Sequence, residues 1–304
     1  MHHAVPSRTA LRVALRRAAH QLHDAKPLVF NDPLAVPILG NEFQDELQRT
    51  PDSRKRPFSA AIRAFMVARA RLAEDTLTAA IATHNTQQYL VLGAGLDTFA
   101  ARNPYPGLRV FEVDHPASHT WKQQMLSSAG ITPPSTARFV AVDFERDSLR
   151  SLLKAAGFDE TLPTVTAWLD VVPYLTPHAF RATMRVLARF HPGSQVIFDY
   201  SQPREALPPM EQLMLDSLSA RVALAGEPFQ LFFTPPQLAQ QLDWLGLRVI
   251  EDLDAQLLTK RYFAGRTDNL MLRGKVGRIC IAASAAPPVI RTGCPIFADS
   301  PTVG

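Results

Sequence analysis

Two glycines and a carboxylate carry the first chemical signal. In Gln88-Tyr89-Leu90-Val91-Leu92-Gly93-Ala94-Gly95-Leu96-Asp97-Thr98 an apolar run meets a glycine turn with helix-starting residues behind it. Asp114 lies 21 positions beyond Gly93 and ends the next apolar run, Val110-Phe111-Glu112-Val113-Asp114. Glycine lets the backbone turn tightly and approach a ligand, a helix start offers unpaired N–H groups, and an acid at this distance suits a ribose diol. A Gly-x-Gly alone is an ordinary turn; strand, turn, helix, strand and acid in this order are more specific. Asp143, Asp170 and Asp199 also stand at the ends of apolar runs, with Tyr174 and Tyr200 beside the last two. One such acid reads as a helix cap, as Asp97 does, whereas four successive strands ending in an acid point to a site beyond the carboxyl ends of a sheet.

Thr98 bears on which ligand that site holds. A dinucleotide fold wants a third small residue there, so that the helix packs closely on the strand beneath a pyrophosphate. A cofactor without phosphates, such as S-adenosylmethionine, needs the open turn and the ribose acid but no pyrophosphate cradle. An NAD(P)-dependent oxidoreductase on a related sheet is the alternative.

The motifs Leu92-Gly93-Ala94-Gly95-Leu96-Asp97-Thr98, Phe111-Glu112-Val113-Asp114-His115-Pro116, Val142-Asp143-Phe144 and Tyr174-Leu175-Thr176-Pro177 occur in that order. Together with Ser7-Arg8-Thr9-Ala10 and Asn31-Asp32-Pro33-Leu34-Ala35, they make the chain resemble the bacterial S-adenosylmethionine-dependent O-methyltransferases of the leucine carboxyl methyltransferase-like family. The resemblance runs over about residues 7–283. It implies cofactor contacts from Gly93 and Gly95 at the methionine end, Asp114 on the ribose, Asp143 and Phe144 at the adenine, and Arg69 on the cofactor carboxylate. Two departures stand out. Relatives carry a Glu five residues before the tyrosine of the Tyr-Leu motif, where this chain has Leu169 followed by Asp170; Asp170 is then the candidate for the cofactor ammonium, and a non-catalytic cofactor-binding protein becomes a third reading. Asn31 replaces a lysine of the protein-methylating relatives, which points away from a protein carboxyl substrate. Tyr174 and Tyr200 are the candidate substrate contacts; each reads equally as a core aromatic with its hydroxyl at the rim.

The elements that must hold these residues alternate. Strands are predicted over 88–92, 108–113, 137–142, 163–169 and 194–199, with helices near 116–129, 147–156, 177–190, 207–224 and 235–244. That alternation gives an α/β fold of the class I methyltransferase, Rossmann-like kind: a mostly parallel sheet with helices on both faces. Two late strands, 247–251 and 276–283, resemble the antiparallel hairpin that closes such a sheet. Ahead of the sheet, Ser7 caps a helix to about His23, Asp32-Pro33 starts a short helix, and a long amphipathic helix covers about 58–83. We divide the chain into an N-terminal helical cap (1–84), a cofactor-binding catalytic core (85–284) and a loose proline-rich tail (285–304).

Composition bounds the function. A chain of 304 residues, 46% hydrophobic, can bury a full core. No apolar run reaches the roughly 18 residues of a membrane span, and no apolar signal core opens the chain, so a cytoplasmic protein without membrane contact is expected. Cys280 and Cys294 show no metal or redox spacing. The net charge is +4, and the excess sits in residues 1–75, which hold 12 Lys/Arg against 8 Asp/Glu. Arg8, Arg12 and Arg16 recur on one helix face, followed by Arg54-Lys55-Arg56, Arg63, Arg69 and Arg71. The plain reading is a solvated surface; the sharper one is a basic cap attracting an anionic small molecule. No stripe of basic and aromatic residues suits nucleic acid. The partner expected is a small anionic or phenolic acceptor. A carboxylate acceptor needs no base; a hydroxyl does, and His20, His23, His115, His119 and His178 are candidates by type. His115 and His119 lack an acidic third ligand in register for a metal.

Overall fold

The computed structural model describes residues 8–49, 57–224 and 226–284. Seven strands form one sheet: β1 (Gln88–Leu92), β2 (Arg109–Asp114), β3 (Ala137–Ala141), β4 (Thr164–Trp168), β5 (Gln195–Ser201), β6 (Leu247–Leu253) and β7 (Gly277–Ser284). Their order is β3-β2-β1-β4-β5-β7-β6. The first five run parallel, and β7 lies antiparallel between β5 and β6. The order reverses at β1, which pairs with β2 on one side and β4 on the other. That reversal opens a crevice beyond the strand ends, where a ligand can sit.

Both faces are covered, so β1 and β4 are buried along their whole length. Leu90, Leu92, Phe111, Val113, Trp168 and Phe198 pack on one side with Leu149, Leu153, Phe180, Met184, Leu238 and Leu242 from three helices, Leu149–Ala155, Pro177–Leu187 and Pro235–Leu245. The alternate residues Tyr89, Val91, Val110, Ala167, Ile197 and Ile281 face the other side. There they meet Val67, Ala68, Leu72 and Leu77 of one long helix, Pro57–His84 (α3 here). The other helices, in chain order, are α1 (Arg8–His23), α2 (Gly40–Arg49), α4 (Phe99–Arg102), α5 (Pro116–Ser128), α6 (Leu149–Ala155), α7 (Pro177–Leu187), α8 (Pro209–Leu224), α9 (Pro235–Leu245) and α10 (Ala255–Tyr262). Trimming a fully buried side chain such as Leu90 to Ala would cost about 2–5 kcal/mol.

Local chemistry sets the helix starts that flank the crevice. Helices begin at Pro116, Pro177 and Pro235, where the missing proline N–H costs nothing. Thr176 Oγ1 accepts from the N–H of Ala179 at 3.1 Å, and the N–H of Thr234 donates to Gln237 at 2.9 Å. Gly246 ends the last of these in the left-handed conformation, φ 85, as a terminal glycine does.

Four expectations need correction. Asp32-Pro33 opens a turn rather than a helix; the helical residues come later, as a single 3-10 turn over Pro37–Leu39 and then α2, which sequence periodicity does not reveal. The helix behind the glycine turn is a single turn, Phe99–Arg102. It lacks the aligned peptides that make a phosphate-binding dipole. The late strands are not a hairpin, because a helix over Ala255–Tyr262 lies between them. Asp254 caps it, its carboxylate accepting from the N–H of Leu257 at 2.9 Å. Finally, α3 packs on the sheet itself instead of lying over it. The predicted cap at Ser7, Arg54-Lys55-Arg56, Cys294 and the 285–304 tail fall outside the described residues.

Candidate active site

A cavity of about 560 Å³ occupies the crevice, within the roughly 300–1,000 Å³ usual for small-molecule sites. Its floor is the turn after β1. Gly93 and Gly95 both have positive φ, 67 and 46. A Cβ on Gly93 would sit 2.2 Å from Val171 Cγ2, and one on Gly95 would sit 3.0 Å from Ala10 Cβ. Any larger residue would therefore strain the backbone and fill the floor. Asp114 lines the next wall. Its Oδ2 accepts from the N–H of Gly95 at 2.6 Å and its Oδ1 from the N–H of His115 at 2.7 Å. Each oxygen keeps a lone pair for a ligand hydroxyl. Asp143 and Phe144, from the loop after β3, complete this side.

The opposite wall is built around Arg69. This guanidinium, 2% exposed on α3, donates from Nη1 to Asp170 at 3.0 Å and to Asp199 at 2.9 Å. Burial alone would lower the Arg69 pKa, but Asp170 and Asp199 override it and hold it above the usual value. For Asp199 burial prevails, and its carboxyl is raised despite Arg69. Asp170 has left strand geometry: β4 stops at Trp168, and Asp170 takes φ 63. The N–H of Asp170 donates to Asp199 at 2.6 Å. This is the departure an acid shifted one position along a strand needs in order to face the crevice. Leu169, its neighbour, lines the cavity too.

Of the remaining sequence candidates, Tyr174 lines the cavity and Tyr200 does not. Tyr200 is 1% exposed and gives its hydroxyl to Asp252 on β6 at 2.7 Å, which removes it from the site. Burial pushes the Tyr174 phenol up, with Asp170 adding to it, so this hydroxyl keeps its proton. Of the five histidines, only His115 reaches the cavity, and its Nδ1 accepts from the N–H of Ala117 at 3.3 Å as a helix cap. His20 is buried against Asp24, which also takes Arg63. His119 stacks on Phe139. No group of three metal-ligating side chains occurs among the described residues.

Sequence reasoning missed two contributors. Arg17, one position past the noted Arg8, Arg12, Arg16 series, lines the cavity. It grips Asp32 at 2.5 Å and Asp97 at 2.8 Å, and Thr98 donates to Asp32 at 2.8 Å. Thr98 thus ties the glycine turn to the Asn31-Asp32-Pro33 turn, and Asp97 both pairs with Arg17 and accepts from the N–H of Phe99. Burial alone would raise the Asp97 carboxyl; Arg17 overrides it and holds it at about 2. The signal available was the alanine stripe Ala14, Ala18, Ala19, which marks the buried face beside Arg17. The second is Glu227, on the segment Gly226–Gln230 after α8. Nothing in its local spacing marks it.

A sequence-family model described as leucine carboxyl methyltransferase matches residues 10–188. A Bacillus subtilis (strain 168) protein named as an S-adenosyl-L-methionine-dependent methyltransferase, YktD, is 30% identical over 292 residues, covering 87% of this chain and 93% of that one. A Mycolicibacterium gilvum protein named in the same way is 37% identical over 206 residues, 63% of this chain and 65% of its own. Among solved structures, a DUF574-family protein of Streptomyces avermitilis superposes with a TM-score of 0.53 at 17% identity, covering 88% of this chain and 96% of that one. A Thermobifida fusca protein titled a methyltransferase gives 0.51 at 16%, covering 90% and 94%. These two share the fold.

Proposed function

The chain belongs to the leucine carboxyl methyltransferase family, and from that premise we propose that it moves the methyl group of S-adenosylmethionine to an oxygen of a small metabolite, a carboxylate or a hydroxyl. It is an S-adenosylmethionine-dependent methyltransferase, which sets aside a dehydrogenase and a purely cofactor-binding role. The donor's sulfonium supplies the leaving group; the protein supplies position and a dry site.

The observation that carries the reading is the meeting of the glycine turn and the Asp114 carboxylate at the strand-order reversal, with Arg69 and Asp170 facing them across one cavity. In this assignment Gly93 and Gly95 pass under the donor and Asp114 holds its ribose. Asp143 and Phe144 border its adenine, and Arg69 and Asp170 take its carboxylate and ammonium. The one-turn helix at Phe99 suits a donor without phosphates. On the N-terminal side Thr9, Ala10, Val13 and Arg17 of α1 close the site, with Met66 and Arg69 of α3 forming part of its wall, and 85–284 serve as the catalytic core. Tyr174 borders the acceptor.

The basic-cap idea contracts on this geometry. Arg63 is taken by Asp24 and Arg71 by Asp75, so neither is left to draw in an anion. Calorimetry with S-adenosylhomocysteine tests the assignment: the wild type binds and Asp114→Ala loses most of the affinity. Equal affinities would remove Asp114 from the site.

A further inference from the structure

The acceptor wall carries a carboxylate where a carboxylate substrate would need a cation. Beyond the proposed donor contacts, the cavity is lined by Thr9, Val13, Met66, Tyr174 and the segment Gly226–Gln230. Its charged lining groups on this side are Arg69, Asp170 and Glu227; Arg16, outside the lining, lies close enough to Asp170 to feel its charge and donates to the carbonyl of Arg12. Arg69 is already held by Asp170 and Asp199, and the other lining guanidinium, Arg17, by Asp32 and Asp97. Glu227 forms no ion pair among the described residues. Its Oε2 accepts from Thr9 Oγ1 at 2.5 Å, and Thr9 also bonds Tyr174. A hydroxyl has one proton to give, and Thr9 gives its proton to the Glu227 carboxylate. An acid substrate entering here would meet a like charge, the half-buried Glu227 carboxylate, which no described side chain neutralises in an ion pair.

We propose that Glu227 is the proton acceptor for a hydroxyl substrate, so that the product is a methyl ether and not a methyl ester. The inference rests on the methyl-transfer reading above and narrows its acceptor. In the step, a lone pair of the acceptor oxygen forms the new C–O bond to the donor methyl while the C–S bond breaks and its electron pair stays on sulfur. The hydroxyl proton passes to Glu227 and from there to solvent. The positive charge of the donor is thus discharged as one proton. A base placed in this way contributes about 10²–10⁴-fold.

The test uses methyl-¹³C-labelled S-adenosylmethionine with matched probes, alcohols and phenols alongside carboxylic acids of the same skeleton, 2-naphthol and 2-naphthoic acid among them. Carbon NMR separates ether from ester, and calorimetry with S-adenosylhomocysteine runs in parallel. Ethers without esters are expected. Glu227→Gln should lose roughly 100-fold in rate and keep S-adenosylhomocysteine affinity within about twofold. Esters, or a Glu227→Gln enzyme as fast as the wild type, would overturn the assignment. Intact S-adenosylhomocysteine binding with no ether from any alcohol also removes it and leaves the donor site standing. Loss of that binding in the wild type would instead sink the methyl-transfer reading.

Discussion

Two buried arginines border the same cavity, and they are held in different ways. Arg17 on α1 and Arg69 on α3 each grip two aspartates. Around Arg17 one carboxylate is wholly buried: Asp32 takes Arg17, Thr98 and the N–H of Leu34, while Asp97 is 22% exposed and Arg17 Nε finds no partner among the described residues. Arg102 approaches the Asp32 carboxylate and pairs with Glu74. Around Arg69, Asp170 is exposed to a similar degree, 20%, but unlike Asp32 and Asp97 it sits in a left-handed conformation that costs a non-glycine residue of order 1 kcal/mol or more. A network centred on a wholly buried carboxylate fixes structure; a pair that includes a strained, partly exposed acid can trade its partner for a ligand. The first cluster therefore fastens the N-terminal helices under the glycine turn, and the second is the one placed to read a ligand.

The sharpest way to break this contrast is to remove each arginine. Arg17→Met leaves Asp32 and Asp97 buried without their cation, which costs about 3–5 kcal/mol for a buried pair broken on one side. A large fall in Tm should follow, with donor affinity lost only as a result of the loosened turn. Arg69→Lys keeps a charge between Asp170 and Asp199 and should hold the fold, but a point charge cannot reproduce the planar fork. Its cost should appear in calorimetry as about 1–2 kcal/mol of donor affinity. Equal Tm losses in both variants would erase the distinction.

What was legible in the sequence follows the same division. The strand, glycine turn, strand and acid are local, since φ > 0 at Gly93 and an apolar run before it are written within a dozen residues. The alternation of elements gave the sheet and its two covered faces for the same reason. Pairings across the chain were not legible: Thr98 to Asp32 spans 66 positions, and Thr9 to Glu227 spans 218. Tyr200 and Tyr174 both follow acids that read as strand ends, yet β5 runs on to Ser201, and its register on β7 carries Tyr200 toward Asp252 and away from the crevice. The helix at Ala255 escaped notice because it is eight residues long and is fixed by a single cap at Asp254.

Beneath the turn, a third buried pair gives the contrast a pH axis. Glu112 Oε2 takes Lys122 at 2.5 Å, while Oε1 finds no partner among the described residues. Burial pushes the Glu112 carboxyl up to about 7, with Lys122 opposing. Because the folded value lies above the ordinary 4.5, the native state binds the extra proton, and the stability it lends is complete below about pH 4.5 and is lost as pH rises through 7. Tm of the wild type should therefore fall between pH 6 and 8 by more than in a Glu112→Gln/Lys122→Met double variant. Parallel curves would mean that Lys122 keeps the carboxylate ionised throughout.

The smallest stability effect is expected where the ligand argument is strongest. Asparagine tolerates the left-handed region nearly as well as aspartate, so Asp170→Asn can keep φ 63 while removing the charge. Arg69 retains Asp199 as its partner, and Asp199 can still accept from the residue 170 N–H. Because Arg69 keeps one of its two carboxylates, the stability loss should stay below the about 3–5 kcal/mol of a buried pair broken outright, and Tm should fall by less than in Arg17→Met. Donor affinity should fall by about 1–2 kcal/mol, the share of one charge-assisted hydrogen bond. Asp170→Gly supplies the complement, since it relieves the backbone strain and removes the same carboxylate; it should bind as weakly as Asp170→Asn while being no less stable. If Asp170→Asn binds like the wild type, a backbone carbonyl holds the donor ammonium, and the strain at residue 170 serves the Arg69 pairing alone.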